Sequence, residues 1–201
     1  MNAPVLAILD SDLKAPQPAL HKAQQIADAS QRPLHVLVNA YSSAMVRAVG
    51  IDQERQNAAR QQIHGAWEKR IRHLTDREDG ELSILWQKDS MEALRDSIIA
   101  LQPGMVVVHT SAETGLRRHL FTPRDWQLIR KAPCPVLCVH GRAWSSSPRV
   151  LAALDPGNEA QQDDPLAIRV LDAANEIARH LGGSLRACHV LDEMDDSMIM
   201  L

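Results

Sequence analysis

The chain has 201 residues, 45% of them apolar and only 3% aromatic, with a formal net charge of −3. That length suffices for one ordinary domain plus a piece of another, and its core must be built mainly of Val, Leu, Ile and Ala. The charge gives no footing for a nucleic-acid partner or a polybasic membrane anchor. No apolar run is long enough to cross a bilayer, and "MNAPVLAILDSD" lacks a basic n-region. We therefore expect a soluble cytoplasmic protein without a signal peptide and without membrane insertion.

"PVLAILD" (Pro4–Asp10) is a short apolar run ending in an acid, which suits a central parallel strand. Polar turn residues follow. In "ALHKAQQIADAS", Leu20, Ala23, Ile26 and Ala27 share one helical face. "LHVLVNAY" reads as a second strand. The long stretch Gln53–Asp76 is helical, with Ile63, Trp67, Ile71 and Leu74 forming one apolar stripe. "ELSILWQ" is a third strand, and "DSMEALRDSIIALQP" a helix capped by Asp89 or Ser90. "MVVVHT" is a fourth strand and "CPVLCVH" a fifth. Between them "PRDWQLIRKA" opens with Pro123, a good first-turn residue. Trp67 and Trp126 read as packing residues. Strands alternating with helices in this way predict an α/β domain with a doubly wound parallel five-stranded sheet and right-handed crossovers.

Cys134, Cys138 and Cys188 are too few, and odd in number, for a disulfide framework. Read as strand, Cys134 and Cys138 stand roughly 13 Å apart, too far for a disulfide or a shared zinc. Buried, reduced thiols are expected. The nine histidines show neither helical i, i+4 pairing nor a CxxC partner, so no metal is expected.

After "GRAWSSSP" (Gly141–Pro148), which reads as a linker, the chain repeats itself. "VLAILD" at Val5–Asp10 recurs as "VLAALD" at Val150–Asp155. The Ile26-Ala27 pair recurs as Ile177-Ala178, and each pair is followed by a strand leucine, Leu34 or Leu185. The loop between strand and helix is six residues longer in the second copy. We expect a first domain over 1–141, a linker over 142–148, and a partial β-α-β repeat of the same fold over 149–201. Trp144 in the linker is a candidate for covering the seam between the copies.

The stretch "HLFTPRDWQLIRKAPCPVLCV" (His119–Val139) resembles the universal stress protein family, of the tandem two-domain UspE type. "APCPVLCV" is similar to the last helix–strand corner of the family at large. "FTPRDW" (Phe121–Trp126) is similar to the first domain of that type. The resemblance implies strand order 3-2-1-4-5, a cytoplasmic stress role, and a natural protein about a third longer. In nucleotide-binding members the loop after strand four carries three glycines and a hydroxyl residue. Here those positions fall on His109, Ala112, Thr122 and Pro123. Side chains in place of glycines crowd a backbone-cradled phosphate, and Pro123 has no N–H to offer. No cofactor is therefore expected, and ATP is disfavoured in the first domain. The resemblance leaves Asp10 and, less specifically, Val38 as recognisable pocket residues, with Asp155 the counterpart of Asp10 in the second copy.

In an open parallel sheet of this order, the switch point lies beyond the carboxyl ends of strands one and four. Asp10, Val38, His109, Thr110, Gly115, Thr122 and Asp155 are thus the candidate cleft residues. Asp10 suits either a ligand bond or a cap on the next turn, and the sequence leaves both open. Arg117, Arg118, Arg124 and His119 are read as solvated surface in preference to an anion site, since Glu113 and Asp125 lie beside them. No nucleophile elbow, Walker loop or dinucleotide fingerprint is present. Ser42, Ser43 and Ser145–Ser147 are read as loop residues without a base nearby in sequence, and nothing in the sequence supports a triad assembled in space.

The expected function is a non-catalytic stress-response protein acting through protein partners or a small ligand in the cleft. The alternatives are an ATP/AMP-binding regulator and a nucleotide hydrolase or transferase, the last of which fold alone does not license. Strand five is a sheet edge, and exposed edges invite pairing, so a homodimer through Pro135–His140 is expected. The tail after about Asp192 is expected to be poorly ordered or supported by a neighbour.

Overall fold

A computed structural model of the protein describes residues 3–50, 52–75, 80–110, 124–154 and 165–189. The chain forms two compact units, Met1–Ala143 and Trp144–Leu201. The tail after Asp192 lies outside the described residues.

The first unit runs β1 (Val5–Ile8), α1 (Pro18–Ser30), β2 (Leu34–Asn39), α2 (Ser43–Val49), α3 (Gln53–Thr75), β3 (Glu81–Leu85), α4 (Ser90–Leu101), β4 (Met105–His109), α5 (Arg124–Lys131) and β5 (Val136–Val139). Its five strands are parallel in the order β3-β2-β1-β4-β5. β1 is central: Leu6 pairs with His35 on one side and Val106 on the other, and Ile8 with Leu37 and Val108. Strands apolar on both faces need a layer of helices on each. On one face Leu6, Ile8, Leu37, Val106 and Val108 join Leu94 and Ile98 of α4 and Leu128 of α5 in one core cluster. Alternation sends Val5, Ala7, Val36 and Val107 to the other face, toward the α1–α3 layer, where Leu20, Ala23, Trp67 and Ile71 are buried.

Helix ends follow local chemistry. Pro18 occupies the first turn of α1. Asp89 caps α4, its carboxylate accepting from the N–H groups of Met91 and Glu92. The expected loop at Ser42 and Ser43 is instead the start of α2. Ser42 Oγ accepts from Met45 N at 3.3 Å and caps it. A helix of seven residues has too little periodicity to announce itself.

Two other expectations are corrected. Trp126 is 55% exposed rather than packed, because eight-residue α5 turns Leu128 to the core cluster instead. Cys134 precedes β5 rather than lying in it, and all three cysteines are half-buried rather than buried, with none in a disulfide. Burial still pushes the Cys134 thiol up.

The second unit contains β6 (Arg149–Ala153), α6 (Pro165–His180) and β7 (Ser184–Cys188). β6 and β7 are parallel, with Val150 opposite Leu185 just as Val5 stands opposite Leu34. The helix exits also match. Gln31 at φ 53° and Gly182 at φ 62° occupy the same repeat position in left-handed conformation. Next to it, a Cβ on Gly183 would collide with the Pro148 carbonyl. The repeat read in the sequence is thus a repeat of register and of turn. Burial is not repeated: Leu6 is 0% exposed, whereas its counterpart Leu151 is 64% exposed.

This contrast gives a prediction. Leu6→Ala should cost about 2–5 kcal/mol, since it opens a cavity at the centre of the sheet. Leu151→Ala should stay within about 0.5 kcal/mol of wild type. Urea denaturation of the two variants checks both, and equal losses would contradict the burial assignment.

Candidate functional site

The chain leaves β1 toward β2 and β3 on one side, and β4 and β5 fill the other, so the switch point lies between β1 and β4. Ile8 pairs with Val108, which places Asp10 and Thr110 each two residues beyond that pair, side by side at the carboxyl edge. His109 and Thr110 are half-buried and Asp10 is exposed. Asp10, His109 and Thr110 are therefore brought together. Val38 is one residue beyond the Ile8–Leu37 pair but has 0% exposure and belongs to the core. Gly115, Thr122 and Asp155 lie outside the described residues, as do Ala112, Arg117, Arg118, His119 and Pro123.

The polar groups at this edge hold one another. Asp12 N donates to Asp10 Oδ1 at 3.0 Å and Lys14 N to Asp12 Oδ1 at 2.9 Å, two successive Asx turns. Gln17, almost fully buried, stitches the loop from inside. Its Oε1 accepts from Asp10 N at 3.0 Å, and its Nε2 donates to the carbonyls of Asp10 at 3.3 Å and Asp12 at 3.1 Å. Thr110 N donates to Val139 O at 3.0 Å. His140 Nδ1 donates to Thr110 O at 3.0 Å, so that nitrogen carries the hydrogen. Asp10 is thus engaged as a turn cap, and the Thr110 backbone is engaged on both its polar groups.

Gln17 and His140 bond the backbone of this edge and were not among the cleft candidates read from the sequence. Gln17 is visible only as the residue before Pro18. His140 has an echo in the second unit, where His189 Nδ1 donates to Leu154 O at 3.0 Å. In each case a histidine one residue past a strand closes the end of the neighbouring strand.

A second polar cluster, also unforeseen, lies on β2 and β3. His35, 6% exposed, contacts Glu81 Oε2 through Nδ1 at 3.0 Å and Ser83 Oγ through Nε2 at 2.9 Å. Its only sequence signal is polar residues two apart in "ELS", opposite a lone histidine in "LHVLV".

Among the described residues no three His, Cys, Asp or Glu side chains converge as a metal-ligand set. No helix among them is long and apolar enough to cross a membrane.

Comparison with known proteins places these features. Curated relatives include universal stress protein E of Photorhabdus laumondii, 25% identical over 82% of this chain, and of Escherichia coli K12, 22% identical over 88%. A homolog of the same protein in Haemophilus influenzae is 25% identical over 82%. The chain spans between 54% and 57% of the length of these relatives. Among solved structures, a functionally unknown protein of Pseudomonas aeruginosa PAO1 shares the fold. It has a TM-score of 0.64 and 24% identity, over 92% of this chain and 60% of its own. Residues 1–140 match the universal stress protein family, and with the sheet order β3-β2-β1-β4-β5 in the same residues, the chain belongs to that family.

Proposed function

We propose that the protein is a cytoplasmic stress-response protein whose β1–β4 cleft performs no reaction and holds no ATP. It acts through protein partners or a small ligand. The observation that carries this reading is the engagement of Asp10. Its Oδ1 accepts from Asp12 N while Gln17 holds its backbone on both sides, so the acid serves its own loop. The loop composition supports the same reading, because His109, Ala112, Thr122 and Pro123 stand where a phosphate cradle needs glycines and a hydroxyl. The exposure of Asp10 favours the second reading, an ATP/AMP-binding regulator.

Calorimetric titration of ATP and AMP with Mg²⁺ distinguishes the two, with Asp10→Ala as control. No binding heat and an unchanged Tm are expected. Micromolar binding abolished by Asp10→Ala would put the nucleotide regulator first.

We further propose that a second copy of the chain is one of the partners, joined through the Pro135–His140 edge. β5 is the outermost strand of its sheet. Pro135 O and Val139 O accept from the β4 side, so Val136, which alternates with them, turns its N–H group outward. An outward backbone donor on an edge strand invites a strand from another molecule. Val136→Pro removes one outward donor at the first position of the strand, where proline is tolerated. Sedimentation velocity should give a dimer for wild type and a shift to monomer for the variant. A wild-type monomer at high concentration would refute this interface.

A further inference from the structure

The cluster on β2 and β3 concerns a different edge of the sheet and goes beyond the reading of the cleft. Parallel register puts His35 opposite Glu81 and Leu37 opposite Ser83. Because side chains alternate, Glu81 and Ser83 share the face from which His35 projects. The imidazole bridges them, with Nδ1 3.0 Å from Glu81 Oε2 and Nε2 2.9 Å from Ser83 Oγ. A carboxylate only accepts, so Nδ1 carries the hydrogen. In the neutral ring Nε2 then presents its lone pair to the serine hydroxyl. Carboxylate, imidazole and hydroxyl stand in the order that a nucleophile, its base and the base's orienting group require.

His35 is buried at 6% exposure, while Ser83 is half-buried. Glu81 holds the ring from outside, its side chain 81% exposed. Leu85 O accepts from Ala40 N, so Glu81, Ser83 and Leu85 direct their backbone groups to β2. The N–H of Ile84, the residue after the serine, therefore faces the open side of this outermost strand. Leu85, the next residue on the same face as Ser83, lines a cleft of about 290 Å³ with Ala93, Ala100, Glu92 and Asp96. The cleft begins two residues along β3 from Ser83 and is not lined by Ser83, His35 or Glu81, and its carboxylates disfavour anions nearby.

We propose that Ser83 and His35 are catalytic residues for acyl transfer from a small uncharged or cationic ester, with Glu81 positioning the imidazole. Ser83 Oγ bonds to the ester carbonyl carbon and its proton passes to His35 Nε2. The carbon–oxygen bond to the alcohol breaks, and the alcohol leaves with that proton. Water, deprotonated by the same nitrogen, then attacks the acyl-serine, releasing the acid and returning the proton to Ser83.

An alkyl fluorophosphonate tests this on the full chain, since its phosphorus takes the serine oxygen and releases fluoride. Intact-mass and peptide spectrometry should find one adduct, on Ser83. Hydrolysis of p-nitrophenyl butyrate should proceed with the same variant dependence. Ser83→Ala should abolish both. Glu81→Gln, at an exposed position that leaves the core intact, should slow labelling by as much as roughly 10⁴-fold, the scale of the loss when the carboxylate orienting a triad histidine becomes an amide. Glu81→Asp should restore part of the rate, which a merely structural role would not require. An unlabelled wild type with native circular dichroism would overturn the proposal. So would labelling that survives Ser83→Ala, or an equal rate in Glu81→Gln.

Discussion

The first unit depends on β1 having a strand on each side. Leu6 and Ile8 sit at the crossing of two ladders, and the core cluster gathers on the face they present to α4 and α5. The second unit shows the same residues without that constraint. β6 has β7 on one side at the register of β1 and β2, and no second strand partner among the described residues. Leu151 consequently stands exposed where Leu6 is sealed. Local sequence sets the strand, the helix and the turn between them, while burial comes from the neighbours that a full sheet provides.

This division explains how much was legible. Alternating and helical periodicities are local, and they gave the strands and long helices within a residue or two of their observed ends. The repeat was legible because an identical register needs only matching spacings. Trp126 misled because an aromatic residue in a helix carries no mark of the face it occupies, and α5 spends its inward position on Leu128. Cys134 was placed inside a strand that begins after Pro135, beyond the corner.

Site residues were legible only where a loop follows a strand directly. Asp10 and Thr110 are neighbours because the strands that carry them are neighbours, which the predicted strand order already contains. The bond from Gln17 back to Asp10 depends on how the loop folds, which composition does not encode. His35 lies 46 residues from Glu81 and 48 from Ser83. No spacing rule joins such residues; only the β2–β3 register does.

The two polar clusters differ in what holds them, and that difference bears on chemistry. At the β1–β4 edge, side chains cap their own turns and close their own strand ends. Part of the hydrogen-bonding capacity at that edge is met within the protein, by one oxygen of Asp10 and the Asp12 and Thr110 carbonyls. On β2 and β3 the ladder fixes three side chains relative to one another with no loop involved, and rigid elements hold reacting groups more closely than loops do. A hydroxyl aimed at a nitrogen lone pair on such a frame is pre-organised, so the entropic cost of assembling it is met when the sheet folds. Among the described residues, the β2–β3 edge is therefore where three polar side chains are set against one another by strand register alone.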